Sequence, residues 1–246
     1  MLVFTSLLLV TVQAETGDFN KNTANTLSAG DWSVGIAAPL RYGLKDDLEL
    51  EINPLAALLA PHIAVKKSYP GIGDWKMASH HQLGYPTPFL KAVSRGGTGG
   101  ILAPDSVIPH TFVLQNDLLF GKKTKVGEVT TILGANFALE VGDRNYTTID
   151  YSYGFRQTNL YQNTLSLDLG VAWKYFFTEK LGFRYLGKAW YYPLADQKFA
   201  LEEKLALLFQ VSERSQASIG GFMTLYDYPY GTNWHVWPTV DWVLKF

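Results

Sequence analysis

Apolar and polar residues alternate with a period of two along most of this chain, the signature of extended strands whose successive side chains face opposite sides. In the last segment Trp234, Val236, Val240, Trp242, Leu244 and Phe246 lie on one face, against His235, Thr239, Asp241 and Lys245. The clearest strand runs from Thr164 to Phe177, with Leu165, Leu167, Leu169, Val171, Trp173, Tyr175 and Phe177 opposite Ser166, Asp168, Gly170, Ala172 and Lys174. Phe183, Tyr185, Ala189 and Tyr191 continue this apolar face after the turn Thr178-Glu179-Lys180, with Arg184 and Lys188 opposite. Similar alternation marks Trp32–Tyr42, Leu48–Ile52, Thr131–Val141, Ile149–Phe155 and Ala217–Tyr226, and more weakly His62–Ser68, Lys76–Tyr85 and His110–Phe120.

Two segments fit less well. Lys198–Val211 is rich in helix formers and sets Glu203 on its apolar face, so it reads as a strand or as a helix. Pro54–Ala60 reads as a short helix or a wide turn. Between Pro86 and Pro109 no period holds; Phe89–Ser94 suits a helical turn, and Gly96-Gly97-Thr98-Gly99-Gly100 lacks the Lys-Ser/Thr ending of a phosphate loop. A loop of that length suits a plug, an external lid or a disordered connection.

The expected fold is an all-β, antiparallel up-and-down barrel of twelve strands, with ten the next count, and a soluble barrel or sandwich is the competing architecture. Each apolar face backed by a charged one suits a wall between lipid and an aqueous lumen. The parity is awkward. If the turns at Ser212–Ser215 and Thr178–Lys180 lie on the side of the termini and every upstream segment crosses fully, the equally tight turn at Lys45–Asp47 falls on the other side.

Composition and charge narrow the partners. The 246 residues include no Cys, 14 Tyr, 14 Phe and 7 Trp, with a net charge of -1. That excludes a disulfide framework and thiolate metal sites, and it gives no reason to expect nucleic acid. Residues 1–14 have the short apolar core and the Val12-Gln13-Ala14 small-residue ending of a signal peptide cut after Ala14. Residues 15–30 then form a polar N-terminal segment, and residues 31–246 form the barrel.

The Ala14 cleavage site, amphipathic strands throughout, aromatic strand ends such as Trp190-Tyr191-Tyr192 and the ending Val243-Leu244-Lys245-Phe246 resemble Gram-negative outer-membrane β-barrel proteins. Trp32–Leu50 also resembles the opening hairpin of uncharacterised proteobacterial barrels. The resemblance implies an outer-membrane location, surrounding lipid as partner, and a recognition signal for the barrel assembly machinery at Val240, Trp242, Leu244 and Phe246. It implies a monomer and no cofactor.

The charges expected to face the lumen are Arg41, Glu49, Glu51, Asp117, Glu140, Asp150, Arg156, Asp168, Lys174, Arg184, Lys188, Glu202, Lys204, Asp241 and Lys245. Both signs are mixed, so no selectivity ring is implied. The function expected is a narrow conduit for small solutes or lipid-like molecules, or a structural barrel with a largely closed lumen. The alternative is a lipase-like or protease-like hydrolase at the rim. No His-Glu-x-x-His metal motif occurs, and no residue is assigned to catalysis; Ser79 with His110 or His235 is the only set to weigh, without a supporting spacing.

Overall fold

The structure, a computed structural model, describes residues 22–94, 102–146, 155–228 and 231–246. The signal-peptide segment 1–14 and Asp150 lie outside them. Twelve antiparallel strands close into one barrel in sequence order, β12 returning to β1. They are β1 (Trp32–Gly35), β2 (Leu40–Lys45), β3 (Leu48–Ile52), β4 (His62–Ile72), β5 (Trp75–Gly84) and β6 (His110–Thr124). They continue with β7 (Gly127–Val141), β8 (Leu165–Phe176), β9 (Leu181–Tyr191), β10 (Phe199–Ser212), β11 (Ser215–Tyr228) and β12 (Gly231–Lys245). Among the described residues three helices sit in the connections: α1 (Pro54–Ala57), α2 (Thr87–Val93) and α3 (Phe155–Asn163).

The count of twelve is reached by a different route from the one the periodicity suggested. Trp32–Tyr42 is two strands, because the chain folds back over Ile36–Pro39, and β1 pairs with β2 through Trp32↔Tyr42 and Ser33↔Arg41. Pro39 has a fixed φ and no N–H to give a ladder. The Asp241 carboxylate also accepts the Ala37 N–H at 3.0 Å, holding the bend against β12. Ile149–Phe155 is correspondingly not needed as a strand: residues 149–154 lie outside the described residues, Phe155 opens α3, and β7 pairs directly with β8 from Glu128↔Lys174 to Phe137↔Leu165. With the first strand split, the tight turns after β2, β4, β6, β8 and β10 all gather with both chain ends at one end of the barrel, here the foot. The parity conflict disappears. The three described helices, in the connections after β3, β5 and β7, lie at the other end, the rim.

Residues 198–211 show tertiary context overriding helix propensity. Their strand, β10, is paired along its length by β9 and β11. Glu203 does project from the outer face, where the Tyr185 hydroxyl donates to it at 3.2 Å. Pro54–Ala57 is a short helix capped by the Asn53 side chain, which accepts the Ala56 N–H at 3.0 Å.

The outer wall is apolar, with Leu133, Phe137, Leu139, Leu167, Leu169, Leu205, Leu207, Ile219, Val236 and Val240 exposed. Aromatic side chains gather at its two edges. Near the foot Trp32 packs on Tyr42 with centroids 4.3 Å apart, and Trp173, Tyr175, Phe177 and Phe183 form a cluster with edge contacts from 4.6 Å. Near the rim Tyr85 packs on Phe112 at 5.1 Å, and Tyr191 on Phe199 at 5.3 Å. Phe183 and Tyr191 lie on one strand, and at ~3.3 Å per residue the band between them is roughly 26 Å along the strand.

The wall is uneven. Nine strands have ten to fifteen residues, whereas β1, β2 and β3 have four, six and five. Pairing of β1 to β12 therefore covers only Ser33↔Lys245, Val34↔Leu244 and Gly35↔Val243, with Ile36 N–H donating to the Trp242 carbonyl just above at 3.2 Å.

Candidate functional site

Inward side chains fill the barrel in three layers. At the foot Ala78, Leu119, Ile132, Ala172 and Leu186 form an apolar layer with Ala24 of the N-terminal segment. That segment is tied into the foot: Leu27 N–H donates to Glu49 at 2.7 Å, Ala29 N–H to Asp46 at 3.0 Å, and the Asn25 amide to Glu128 at 2.8 Å. Gly43 makes its crossing possible, since a Cβ there would collide with the Ser28 carbonyl. The foot is thus filled by side chains and by residues 22–30.

Above it lies a layer of charge. Arg41 is 1% exposed and grips Glu49 with two bonds, Nε to Oε1 at 2.6 Å and Nη2 to Oε2 at 2.8 Å, while its Nε stands 3.8 Å from Glu51. His80 lies between two acids, Nε2 at 3.7 Å from Glu51 and Nδ1 at 3.9 Å from Asp117. Lys188 bridges Asp117 at 3.2 Å and Asp168 at 2.9 Å, and the Asn136 amide donates to Asp168 at 2.8 Å. β7 accommodates this carboxylate because Gly134 faces it, where any Cβ would fall on it. Burial of so many charges is tolerable only because each acid meets a base or a donor.

The rim is capped by aromatic and aliphatic side chains. Phe89 and Leu90 of α2, Leu102, Tyr146, Leu160 and Tyr161 of α3, and Tyr192 pack over inward Trp190, Tyr226 and Tyr228. Burial pushes the Tyr161 and Tyr192 phenols up, as burial and the neighbouring Glu140 do for Tyr146. All three therefore stay neutral, as a packed cap requires. The unpatterned stretch 86–109 contributes to this cap through α2 and Leu102, and its glycine run 96–100 lies outside the described residues.

Between the charged layer and the cap is a cavity of about 130 Å³. Glu51, His80, Gln82, Gln115, Asp117, Asn136, Asp168 and Lys188 form its floor and far wall. Arg156, Gln157 and Tyr161 close it from α3. On the low side it is bounded by Pro39, Ile52, Asn53, Ala56, Ala60 and His62. This low side is braced by polar bonds: Asn53 N–H donates to His62 Nε2 at 3.1 Å, and the Asn53 amide to the Ala37 carbonyl at 3.2 Å. The Nε2 atom of His80 makes no hydrogen bond. Among the described residues no group of three or more His, Cys, Asp or Glu is arranged to hold a metal ion.

The lumen residues expected from period two can now be placed. Arg41, Glu49, Glu51, Asp117, Asp168 and Lys188 come together in the charged layer. Glu140 pairs higher up with Arg144 at 2.7 Å and accepts from Tyr146. Glu202 accepts from the Tyr226 hydroxyl at 2.6 Å and lies 3.6 Å from Arg156. Lys174 and Lys204 stand over the rings of Phe176 and Phe222 at 5.4 and 4.8 Å. Lys245 bonds Asp31 at the foot at 2.8 Å, Asp241 locks the β1–β2 bend, and Arg184 is close enough for its charge to act on Asp241.

Arg156 needs correction. It is a residue of α3 rather than of a strand, and it reaches the barrel from above, its guanidinium 4.7 Å from the Trp190 ring. The alternation read up to it runs through residues 149–154, which lie outside the described residues, whereas Phe155 and Arg156 open the helix. Three groups of the site went unassigned in the sequence: Lys66, fully buried in the charged layer's wall, His80 and Asn136. Period two carried through Ala64-Val65-Lys66 and Ala78-Ser79-His80 would have found the first two. The Ser79, His110 and His235 set does not assemble. Ser79 faces outward to the Tyr69 hydroxyl at 3.0 Å, and His110 lies in the rim girdle, bonded to Tyr85 at 2.6 Å.

No family model matches the sequence, and no curated protein matches it either. A solved structure with a similar course is LpxR from Salmonella typhimurium, at 10% identity over 89% of this chain and 90% of that one, with a TM-score of 0.40. A likeness that distant transfers no chemistry.

Proposed function

We propose that this protein is a monomeric outer-membrane β-barrel, exported by a signal peptide cut after Ala14, whose lumen is closed and whose work is done in the cavity under the rim. The apolar wall bordered by two aromatic girdles supports residence in a bilayer, since lipid tolerates only structures that satisfy their backbone groups internally. Val240, Trp242, Leu244 and Phe246 on the outward face of β12 serve as the assembly signal.

The observation that carries the functional reading is the double closure of the lumen, by the Ala24 to Leu186 layer with residues 22–30 at the foot and by the aromatic cap at the rim. It favours the closed barrel over a conduit. The cavity lining, which contains no Ser, Thr or Cys among the described residues, favours binding over covalent hydrolysis. Planar-bilayer recording of refolded, heat-modifiable protein is expected to be silent. A steady single-channel conductance would return the reading to a conduit, and recovery as a soluble periplasmic protein would remove the membrane location itself.

A further inference from the structure

The inward residues of β4 to β8 stand in level rungs, because directly opposed residues of an antiparallel pair lie side by side on one face. One rung carries charge: Lys66, His80, Asp117, Gly134 and Asp168 are successive cross-strand partners. The next rung toward the rim, Ala64, Gln82, Gln115, Asn136 and Ser166, holds none. Above it come the short apolar side chains of Val113 and Ala138 beside Gly84, where an added Cβ would meet only His62, at 3.8 Å. The middle rung is thus an uncharged polar belt facing the cavity through Gln82, Gln115 and Asn136.

This belt has unused bonding capacity. Gln82 and Gln115 are half-buried, and neither side chain makes a hydrogen bond among the described residues. Asn136 donates its amide to Ser166 at 3.2 Å and to Asp168 at 2.8 Å, which leaves its carbonyl oxygen as an acceptor. Polar side chains withdrawn from bulk water usually have a partner, and here two unpaired amides are direct neighbours. The ions around them are already engaged. Lys188 lies between Asp117 and Asp168, His80 between Glu51 and Asp117, and Arg156 beside Glu202. A charged ligand would have to separate one of these pairs and leave a buried charge behind, whereas an uncharged one leaves them whole.

A primary amide sets two donors beside a carbonyl acceptor, and each hydroxyl is both donor and acceptor. Two hydroxyls on adjacent carbons therefore meet one amide with a bond in each direction. The cavity's volume of about 130 Å³ falls short of the roughly 300–1,000 Å³ of pockets that enclose a drug-sized ligand, so the room is for a short polyol or the edge of a single sugar ring.

We propose that Gln82 and Gln115, with the Asn136 carbonyl, form a subsite for an uncharged vicinal diol, carried by a short polyol or by the edge of one sugar ring. The proposal rests on the reading that the protein works in the cavity under its rim. The test is ligand-observed saturation-transfer NMR on the mature protein refolded into vesicles, with empty vesicles as the blank. The probes are inositol, methyl glucoside, cyclohexanol, glucosamine and glucuronate. Inositol and methyl glucoside should bind about tenfold more tightly than cyclohexanol, the worth of one further hydrogen bond, and more tightly than either charged sugar. Gln82→Leu and Gln115→Leu, which remove an amide at similar volume, should each weaken inositol binding about tenfold, while Gln210→Leu at the foot leaves it unchanged. The comparison of inositol with cyclohexanol needs no variant and serves if neither glutamine variant folds. Displacement of methyl glucoside by a glucosyl diacylglycerol in the vesicles would assign the diol to a membrane glycolipid, and its failure to displace would assign it to a soluble polyol or sugar; both keep the proposal. No saturable binding, as for a cavity that holds water only, would overturn it. So would equal affinity for inositol and cyclohexanol, preference for a charged sugar, or indifference to both glutamine variants. Entry of methyl glucoside into protein-bearing vesicles would instead overturn the closed-lumen reading and leave a glutamine-dependent diol site standing.

Discussion

The short strands β1–β3 and the tall wall of β10–β12 solve the same problem, holding a barrel shut, by different means. Between Ala200↔Tyr226 and Ser212↔Ser215 the β10–β11 ladder is nearly continuous, and the inward face beneath it is filled by Ala206, Leu208 and Phe222, all buried. The β2–β3 ladder has only five paired positions, from Leu40↔Ile52 to Lys45↔Leu48, and the inward face there carries Arg41, Glu49 and Glu51. Where there are few ladder bonds and little apolar area to bury, directional ion pairs supply the cohesion. The consequence is sensitivity: truncating an apolar side chain leaves a hole, whereas removing half of a buried ion pair leaves a charge.

The sharpest way to break this contrast is Arg41→Ala. It leaves Glu49, which is 0% exposed, buried beside Glu51 without its bidentate partner, and removal of one member of such a pair costs about 3–5 kcal/mol. The expected result is a large drop in the urea midpoint of the refolded barrel and loss of the heat-modifiable form at lower temperature. Next comes Leu208→Ala on the tall wall, where the side chain is 1% exposed. It should cost about 2–4 kcal/mol, as for other buried leucines. If Leu208→Ala proved the more damaging of the two, the charge-held account of the short strands would be wrong. Smallest is Lys122→Ala at the foot, whose partner Asp74 is 81% exposed at 3.3 Å. Under ~0.5 kcal/mol is expected for such a surface pair, and a midpoint shift as large as that of Leu208→Ala would mean that charge at the foot matters as well.

Much of the wall could be read directly from the chain. The inward and outward faces of β8, β9, β11 and β12 follow the alternation, because each strand has a lipid-type face and a lumen face and a period of two is the only way to serve both. Irregular places were harder to read. Ile36–Pro39 keeps enough alternation to look like an unbroken strand, and its bend is decided by Asp241, 204 residues away, taking the Ala37 N–H. Arg156 fits an alternating pattern too, yet it belongs to a helix, α3, whose Leu160 and Tyr161 pack over Trp190 in the rim cap.

The same division holds for the site. Glu49, Glu51, Asp168 and Lys188 were legible as lumen charges because facing is local and depends only on parity along a strand. Which acid meets which base was not, since Lys188 reaches Asp117 on β6 and Asp168 on β8 through the register of several strands and the curvature of the closed sheet. By itself, then, the sequence determined an antiparallel amphipathic wall with charges turned inward, while the strands that make up the twelve were settled by pairing. Only the tertiary structure decided that residues 22–30 pack into the foot, that β1 stops at Gly35 and pairs with only the last part of β12, and that His80 stands in a cavity between two carboxylates. Those outcomes depend on chain segments far apart in sequence competing for one narrow interior, and no local pattern records who wins.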